Sequence, residues 1–312
     1  MAEPPVYDCK LSPKLLEKAR KELNETAESR DAGIKRLWAM IRARPDIRCP
    51  TDAVFILAFL RARKFDVEKA FKLLEKWCSM RVDLDAVFEN YRPSSIKEMI
   101  EAGSMVSLPT RDNEGRTINI HRPGKWDPKK FTIWEYLRYG LLTGDYLMWN
   151  EETQINGVVE IIDMEGFNIN HMAQIGPRFA MSAASMMSAD CLPLRMKSMN
   201  VINESGFFDA IFAMLKPFLK DKIKKRIHVH GDDLSKLHQV VPSSILPSEY
   251  GGSHSSSIED IVSKYGDLIL SKEDEYVAMM EYGIKKSDLV KKTVDDAATM
   301  TGTTGSYTKI EM

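Results

Sequence analysis

Beyond Tyr91-Arg92-Pro93-Ser94 the chain alternates short β-type runs with long helical segments, and this alternation narrows the fold more than any other feature. The runs are 105–108, 117–121, 157–163, 199–202 and 227–230, and helical segments at 126–150, 171–189 and 207–225 separate the later ones. Antiparallel neighbours can be joined by a two-residue turn, whereas parallel strands need a crossover of about a dozen residues or more. The spacing therefore predicts right-handed crossovers and a largely parallel sheet, an α/β fold.

Before that boundary everything reads as helix. Ser12 is placed to cap, Pro13 suits a first helical position, and Leu15, Leu16, Ala19 and Leu23 follow at helical spacing. Thr51 and Asp52 start another helix, and Asp66 a third that carries Phe71, Leu74 and Trp77. The expected organisation is an N-terminal helical domain (1–92), an α/β domain (93–252) and a C-terminal extension (253–312). The extension holds one helix over 257–282, and its Thr- and Gly-rich end, 297–312, reads as disordered.

The segment after residue 206 is the most telling for function. Phe207, Ile211, Met214 and Phe218 form one apolar row, and Phe208, Phe212, Leu215 and Leu219 form a second beside it. A surface helix needs one apolar stripe. Two adjacent rows suit a helix that covers something apolar and also meets something apolar outside. Lys220, Lys222, Lys224, Lys225 and Arg226 follow at once. A membrane-docking gate over a lipid pocket needs this combination, and a buried helix with a solvated basic tail would show it too. The segment 137–149 adds Leu137, Leu141 and Leu142, with Gly140 and Gly144 four apart. Helical glycines cost about 1 kcal/mol each relative to Ala, so either close helix packing or a ligand accounts for them. Met181, Met186, Met187, Met196, Met199 and Met214 would give such a region adaptable walls.

Charge and motifs exclude several classes. With 44 basic and 45 acidic side chains, no global field draws the chain to nucleic acid. The start Met1-Ala2-Glu3-Pro4-Pro5 has no signal-peptide pattern and no Gly at the second position for myristoylation. Cys9, Cys49, Cys78 and Cys191 lack metal-ligand spacing and read as reduced thiols. The expected setting is cytoplasmic, with membrane contact only peripheral and reversible. No Gly-x-Ser-x-Gly, His-Glu-x-x-His, Walker loop or Gly-x-Gly-x-x-Gly is found, so no enzyme is expected. His228 and His230 share a strand face but lack a third ligand, and no metal is expected. Asp163 and Glu165 read as turn-orienting groups rather than an acid/base pair.

Several stretches occur together in order. They are Phe59-Leu60-Arg61-Ala62-Arg63-Lys64-Phe65-Asp66, Ile162-Asp163-Met164-Glu165-Gly166-Phe167, Lys216-Pro217-Phe218-Leu219, Ile227-His228-Val229-His230-Gly231 and the closing Ile245-Leu246-Pro247-Ser248-Glu249-Tyr250-Gly251-Gly252. This set resembles the CRAL-TRIO lipid-binding family, most closely its tocopherol-transfer and retinaldehyde-binding branch, from about Thr51 to Gly252. The resemblance implies a lipid pocket under a mobile gate helix, and a monomeric carrier of one hydrophobic tocopherol, retinoid or carotenoid-like ligand. The expected pocket residues are Leu137, Gly140, Leu141, Gly144, Val158, Ile162, Ile175, Phe179, Leu192, Met196, Met199, Phe208, Phe212 and Leu215, with Glu160 or its apolar neighbours. Phe207, Ile211 and Met214 would face the membrane. Arg63, Arg195, Lys222 and Arg226 would hold a phosphatidylinositol bisphosphate headgroup, Lys222 and Arg226 sharing a helix face. The tocopherol-carrying branch has Ser at the positions of Gly140 and Gly144, so this chain departs there and admits a different or bulkier ligand. A lipid- or phosphoinositide-regulated adaptor, touching a protein partner through the C-terminal extension, is the alternative function.

Overall fold

The computed structural model describes residues 3–188, 191–204 and 206–285. Four helices open the chain: α1 (Pro13–Leu23), α2 (Ala27–Arg42), α3 (Ala53–Ala62) and α4 (Val67–Asp83). Ser12, Thr26, Asp52 and Asp66 each accept a first-turn backbone N–H and so fix where these helices begin. A two-residue strand, β1 (Ile47–Arg48), lies between α2 and α3. Helix α3 is buried almost all round, which its run of Phe55, Ile56, Leu57, Ala58, Phe59 and Leu60 dictates.

Short helices α5 (Asp85–Phe88) and α6 (Lys97–Glu101) lead into strands β2 (Met105–Ser107), β3 (Thr117–His121), β4 (Val158–Asp163), β5 (Met196–Ile202) and β6 (Ile227–Val229). The sheet order is β2-β3-β4-β5-β6, with β2 antiparallel and the rest parallel, as the spacing predicts. Helices α7 (Ile133–Met148) and α8 (Glu151–Asn156) connect β3 to β4. Helices α9 (Ile169–Met172) and α10 (Pro177–Met187) precede β5, and α11 (Phe207–Leu215) and α12 (Asp221–Lys224) precede β6. The chain then runs through α13 (Leu234–His238), α14 (Ile258–Leu270) and α15 (Glu273–Met279) to β7 (Gly283–Ile284), which pairs antiparallel with β1.

Four expected helices are shorter than the sequence suggests. The first starts at Ile133 because Thr132 and Glu135 form a capping box. The second breaks at Gly176-Pro177, where the proline sits at a first helical position. The third ends at Leu215, a short 3-10 turn Lys216–Phe218 follows, and Leu219 is extended, because Pro217 supplies no N–H. The fourth is two helices with Ser271 and Lys272 between them. The 297–312 segment lies outside the described residues. Strand β5 begins three residues earlier than expected, and its pairing with β4 shifts register between Val158 and Val159. That β-bulge matters: Met196 and Met199, three apart, would point to opposite faces of a regular strand, and the extra residue brings them to one.

Strand alternation assigns the two faces of the sheet. Ile118, Ile120, Val159, Ile161 and Ile202 belong to the main core with Leu237, Val241, Leu246 and Tyr250 from the chain after β6. Asp163 sits at that seam, accepting from the Glu165 N–H at 3.1 Å, Asn203 Nδ2 at 2.9 Å and the Tyr250 hydroxyl at 2.9 Å. All its oxygens are engaged in holding the turn.

Two buried polar clusters fix the N-terminal helices to the sheet domain. Arg61, fully buried, forks onto Glu25 with both bonds at 2.8 Å and reaches Gln154 at 2.7 Å and Glu151 at 2.9 Å. Arg30 also donates to Glu25, at 2.9 Å. Asp145 of α7 accepts from Arg81 at 2.5 Å and the Tyr91 hydroxyl at 2.6 Å. Burial works to raise Glu25, but Arg61 and Arg30 outweigh it and hold its carboxyl below the ordinary value. Glu25→Ala would take the carboxylate from buried Arg30 and leave buried Arg61 with only Glu151 and Gln154, and should cost about 3 kcal/mol, read from the denaturant midpoint. Because the folded value is depressed, Glu25 adds stability that is complete above the unfolded carboxyl value of about 4.3 and is lost as pH falls through the lower folded one. Acid titration of the Glu25→Gln variant should lack this component.

Candidate functional site

The sheet face opposite the core meets the crossover helices across a cavity of about 300 Å³ rather than by direct packing. The sheet contributes Asn119, His121, Val158, Glu160, Ile162, Met196, Met199 and Val201. Leu137, Gly140, Thr143, Gly144 and Leu147 of α7 form one wall, and Phe179, Ala183, Met186 and Met187 of α10 another. Phe208, Ile211 and Leu215 of α11 close it, with Ile175 and Leu192 from the adjoining loops.

Of the residues expected in a pocket, all but Leu141 and Phe212 line this cavity. The α7 cavity face runs through Gly140, Gly144 and Leu147, and Leu141 lies about 100° round the helix from Gly140, inside the main core at 1% exposure. Phe212 stacks on Phe208 at 5.9 Å and packs against the small apolar cluster that holds Ala184, Leu219 and Ile223. Ile211 faces the cavity, not the outside, because the inward face of α11 straddles the two sequence rows. Phe207 also turns inward, edge-on to Phe167 at 6.2 Å, and Met214 is half-buried. The outward face of α11 carries Asp209, Ala210 and Ala213. The exposed apolar side chains come instead from its neighbours: Phe218 just after it, Met181 on α10 and Ile169 on α9. No residue of α11 is buried.

Gly140 and Gly144 have room. A methyl at Gly140 would come no nearer than 3.5 Å to the Met105 tip, and at Gly144 no nearer than 3.4 Å to Leu192. Close helix packing therefore does not account for them. The glycines enlarge the cavity.

One polar group interrupts the apolar wall. Glu160 accepts from Asn119 Nδ2 at 3.2 Å and pairs with His121 Nε2 at 2.9 Å, and Ser107 fixes the Asn119 amide by donating to its oxygen at 2.6 Å. Asn119, His121 and Tyr136 were not singled out in the sequence. In Thr117-Ile118-Asn119-Ile120-His121 the alternation marks two faces, and a polar face ordinarily reads as solvent.

Beside the end of α11 the structure gathers the four expected basic residues from three segments. Lys222 is driven below its ordinary value first by the charge of Arg226, then by partial burial, then by Lys64, Arg195 and Arg63. Arg226 is lowered by burial and by Arg195. Lys64 joins the cluster unforeseen; it and Phe65 have φ of 52° and 63°, left-handed values that non-glycine residues rarely adopt. Arg195 and Arg226 are tethered by donating to the carbonyls of Ile155 and Met196, and Arg195 also pairs with Glu22 at 2.9 Å. Lys222 and Arg226 do not share a helix, since α12 ends at Lys224. Elsewhere, His230 bonds Asn200 at 3.0 Å and stacks on His228.

Residues 101–252 match the model of the CRAL/TRIO domain, and residues 15–76 match that of the CRAL/TRIO N-terminal domain. A human relative, "Alpha-tocopherol transfer protein-like", is 39% identical over 276 residues, 88% of this chain and 80% of its own. This chain belongs to the CRAL/TRIO family. Mouse "Clavesin-2" is 36% identical over 245 residues, covering 78% of this chain and 75% of its own. The crystal structure of Sfh5 aligns with 86% of this chain and 99% of that one at 14% identity and a TM-score of 0.45. Among the described residues no helix is long and apolar enough to cross a membrane.

The glycine geometry gives a direct test. Gly140→Ala and Gly144→Ala should each raise stability by up to about 1 kcal/mol, read from the denaturant midpoint. Gly144→Leu should fill the cavity and abolish lipid uptake while leaving the fold intact by circular dichroism.

Proposed function

We propose that this protein is a non-enzymatic carrier that takes up one hydrophobic, isoprenoid-like lipid and releases it at membranes containing phosphoinositides. The observation that carries the reading is a cavity walled by apolar side chains and closed by α11, a helix with no buried residue. A volume of about 300 Å³ is at the low end for ligand pockets, so a large lipid must displace the flexible methionines of α10 and β5. Burying ~500 Å² of lipid from water is worth ~12 kcal/mol at ~25 cal/mol per Å². Extraction from a bilayer brings almost none of this, since that surface is already dry. Preference then rests on shape and a few polar contacts, and unloading is easy once α11 swings away. In water that movement would expose the apolar wall; against a membrane it would not.

Two surface features support docking near α11. Phe218, Met181 and Ile169 offer exposed apolar side chains on elements packed around it. Arg63, Lys64, Arg195, Lys222 and Arg226 crowd together so closely that Lys222 is pushed down, and a phosphate group would relieve that repulsion. This favours a bisphosphorylated inositol headgroup over a loose film of anionic lipid. Headgroup binding holds Lys222 protonated, so affinity should fall as pH rises through its depressed value.

Phe218→Asp combined with Met181→Asp should cut vesicle adsorption severalfold in sedimentation assays while leaving equilibrium lipid binding nearly intact. Lys222→Ala should remove the preference for phosphatidylinositol bisphosphate over phosphatidylserine at matched vesicle charge. About 1 kcal/mol lost, equally on both lipids, would indicate only a diffuse patch.

A further inference from the structure

Resting on the carrier reading, the polar end of the cavity narrows the ligand. Glu160 projects from the central strand into a space otherwise walled largely by Leu, Ile, Val, Met and Phe, its side chain 14% exposed. Each of its oxygens accepts one bond from the protein, from Asn119 and from His121. An ionised carboxylate has about four acceptor positions, so capacity is left for a donor. Two groups of opposite need line the same cavity. The Trp126 indole N–H is buried, at 2% exposure for the residue, and has no partner. Tyr136 stacks on Trp126 at 5.8 Å, and its hydroxyl has no hydrogen bond among the described residues. Tyr136 is also held well above the usual phenol range, by burial first and by the Glu160 charge second. Its O–H is therefore a firm donor, set near the carboxylate.

We infer that this end of the cavity is a recognition site for a lipid hydroxyl, which donates to Glu160 and accepts from Tyr136. Other head chemistries satisfy only part of the site. An aldehyde, ketone or ether accepts but gives Glu160 nothing. A carboxylate meets the Glu160 charge with its own. A bare hydrocarbon leaves the Tyr136 hydroxyl unpaired and the spare capacity of Glu160 unfilled in a dry wall, where unpaired polar groups are costly.

The test is equilibrium binding to the full chain of two matched sets: retinol, retinal and retinoic acid, and α-tocopherol with its methyl ether. The hydroxyl member should bind about tenfold to a hundredfold more tightly than its partners, the worth of a hydrogen bond to a charged group. Glu160→Gln should erase most of that preference, and Tyr136→Phe should weaken alcohol, aldehyde and ether alike severalfold, since each accepts from the phenol. Tyr136→Phe removes one oxygen from a cavity wall, so it serves if Glu160→Gln does not fold. An alcohol preference unchanged in Glu160→Gln, or an alcohol affinity unchanged in Tyr136→Phe, overturns the inference. Equal binding of all head groups by the unmodified protein overturns it and leaves the carrier reading standing. Binding of neither set overturns both.

Discussion

Parallel pairing in sequential order governs the rest of this molecule. When β3, β4, β5 and β6 lie side by side in chain order, every connection of the same hand returns across the same face of the sheet. Three crossovers, α7–α8, α9–α10 and α11–α12, therefore crowd one side, and the other side is left for residues 234–250 of the chain after β6. The two faces then diverge. The β-branched face packs solidly with Leu237, Val241, Leu246 and Tyr250. On the crossover face, the missing side chains at Gly140 and Gly144 leave space beside the sheet, the bulge in β5 turns Met196 and Met199 toward it, and a cavity results.

The basic cluster depends on a different constraint, the burial of charge. Arg61 is fixed at the end of α3 by Glu25, Glu151 and Gln154, so the residues after it have little freedom in where they emerge. Arg63 and Lys64 emerge facing Lys222 and Arg226, and the left-handed backbone at Lys64 and Phe65 turns the chain at that point. Repulsion among these cations is tolerated because the anchoring pairs are buried and strong, whereas the cations themselves keep contact with water.

How much of this was legible in the sequence follows from which physical signals are local. The five strands and their largely parallel pairing were readable because β-branched runs and connection lengths are local quantities. Helix ends were over-read wherever a proline sat inside an apolar pattern, as at Pro177 and Pro217. The cavity wall was mostly anticipated, on α7 and α11 from apolar spacing and on β4, α10 and the loops from the family resemblance. Its errors, Leu141, Phe212 and Ile211, arise from a helix's rotation about its own axis, which two adjacent apolar rows leave open. Glu160, His121 and Asn119 were illegible as a group for a deeper reason. A polar strand face normally looks onto solvent, and only the tertiary stand-off of α7 and α11 makes it the wall of an enclosed space. Lys64 was hidden because its role depends on backbone twist at one residue.

That α11 buries none of its residues also bears on how the molecule breathes. Helix α3, sealed on nearly every side, can lose its backbone bonds only when the whole core comes apart. The nine residues Phe207–Leu215 have no such commitment, and beyond them Pro217 and the extended Leu219 interrupt the ladder that would transmit an opening. The segment is thus a small cooperative unit of its own, whose amides can trade hydrogen with solvent through a local excursion while the sheet beneath stays protected. On the carrier reading proposed above, entry to the cavity would require only this local excursion, favoured against a membrane, and not the unfolding of the sheet beneath.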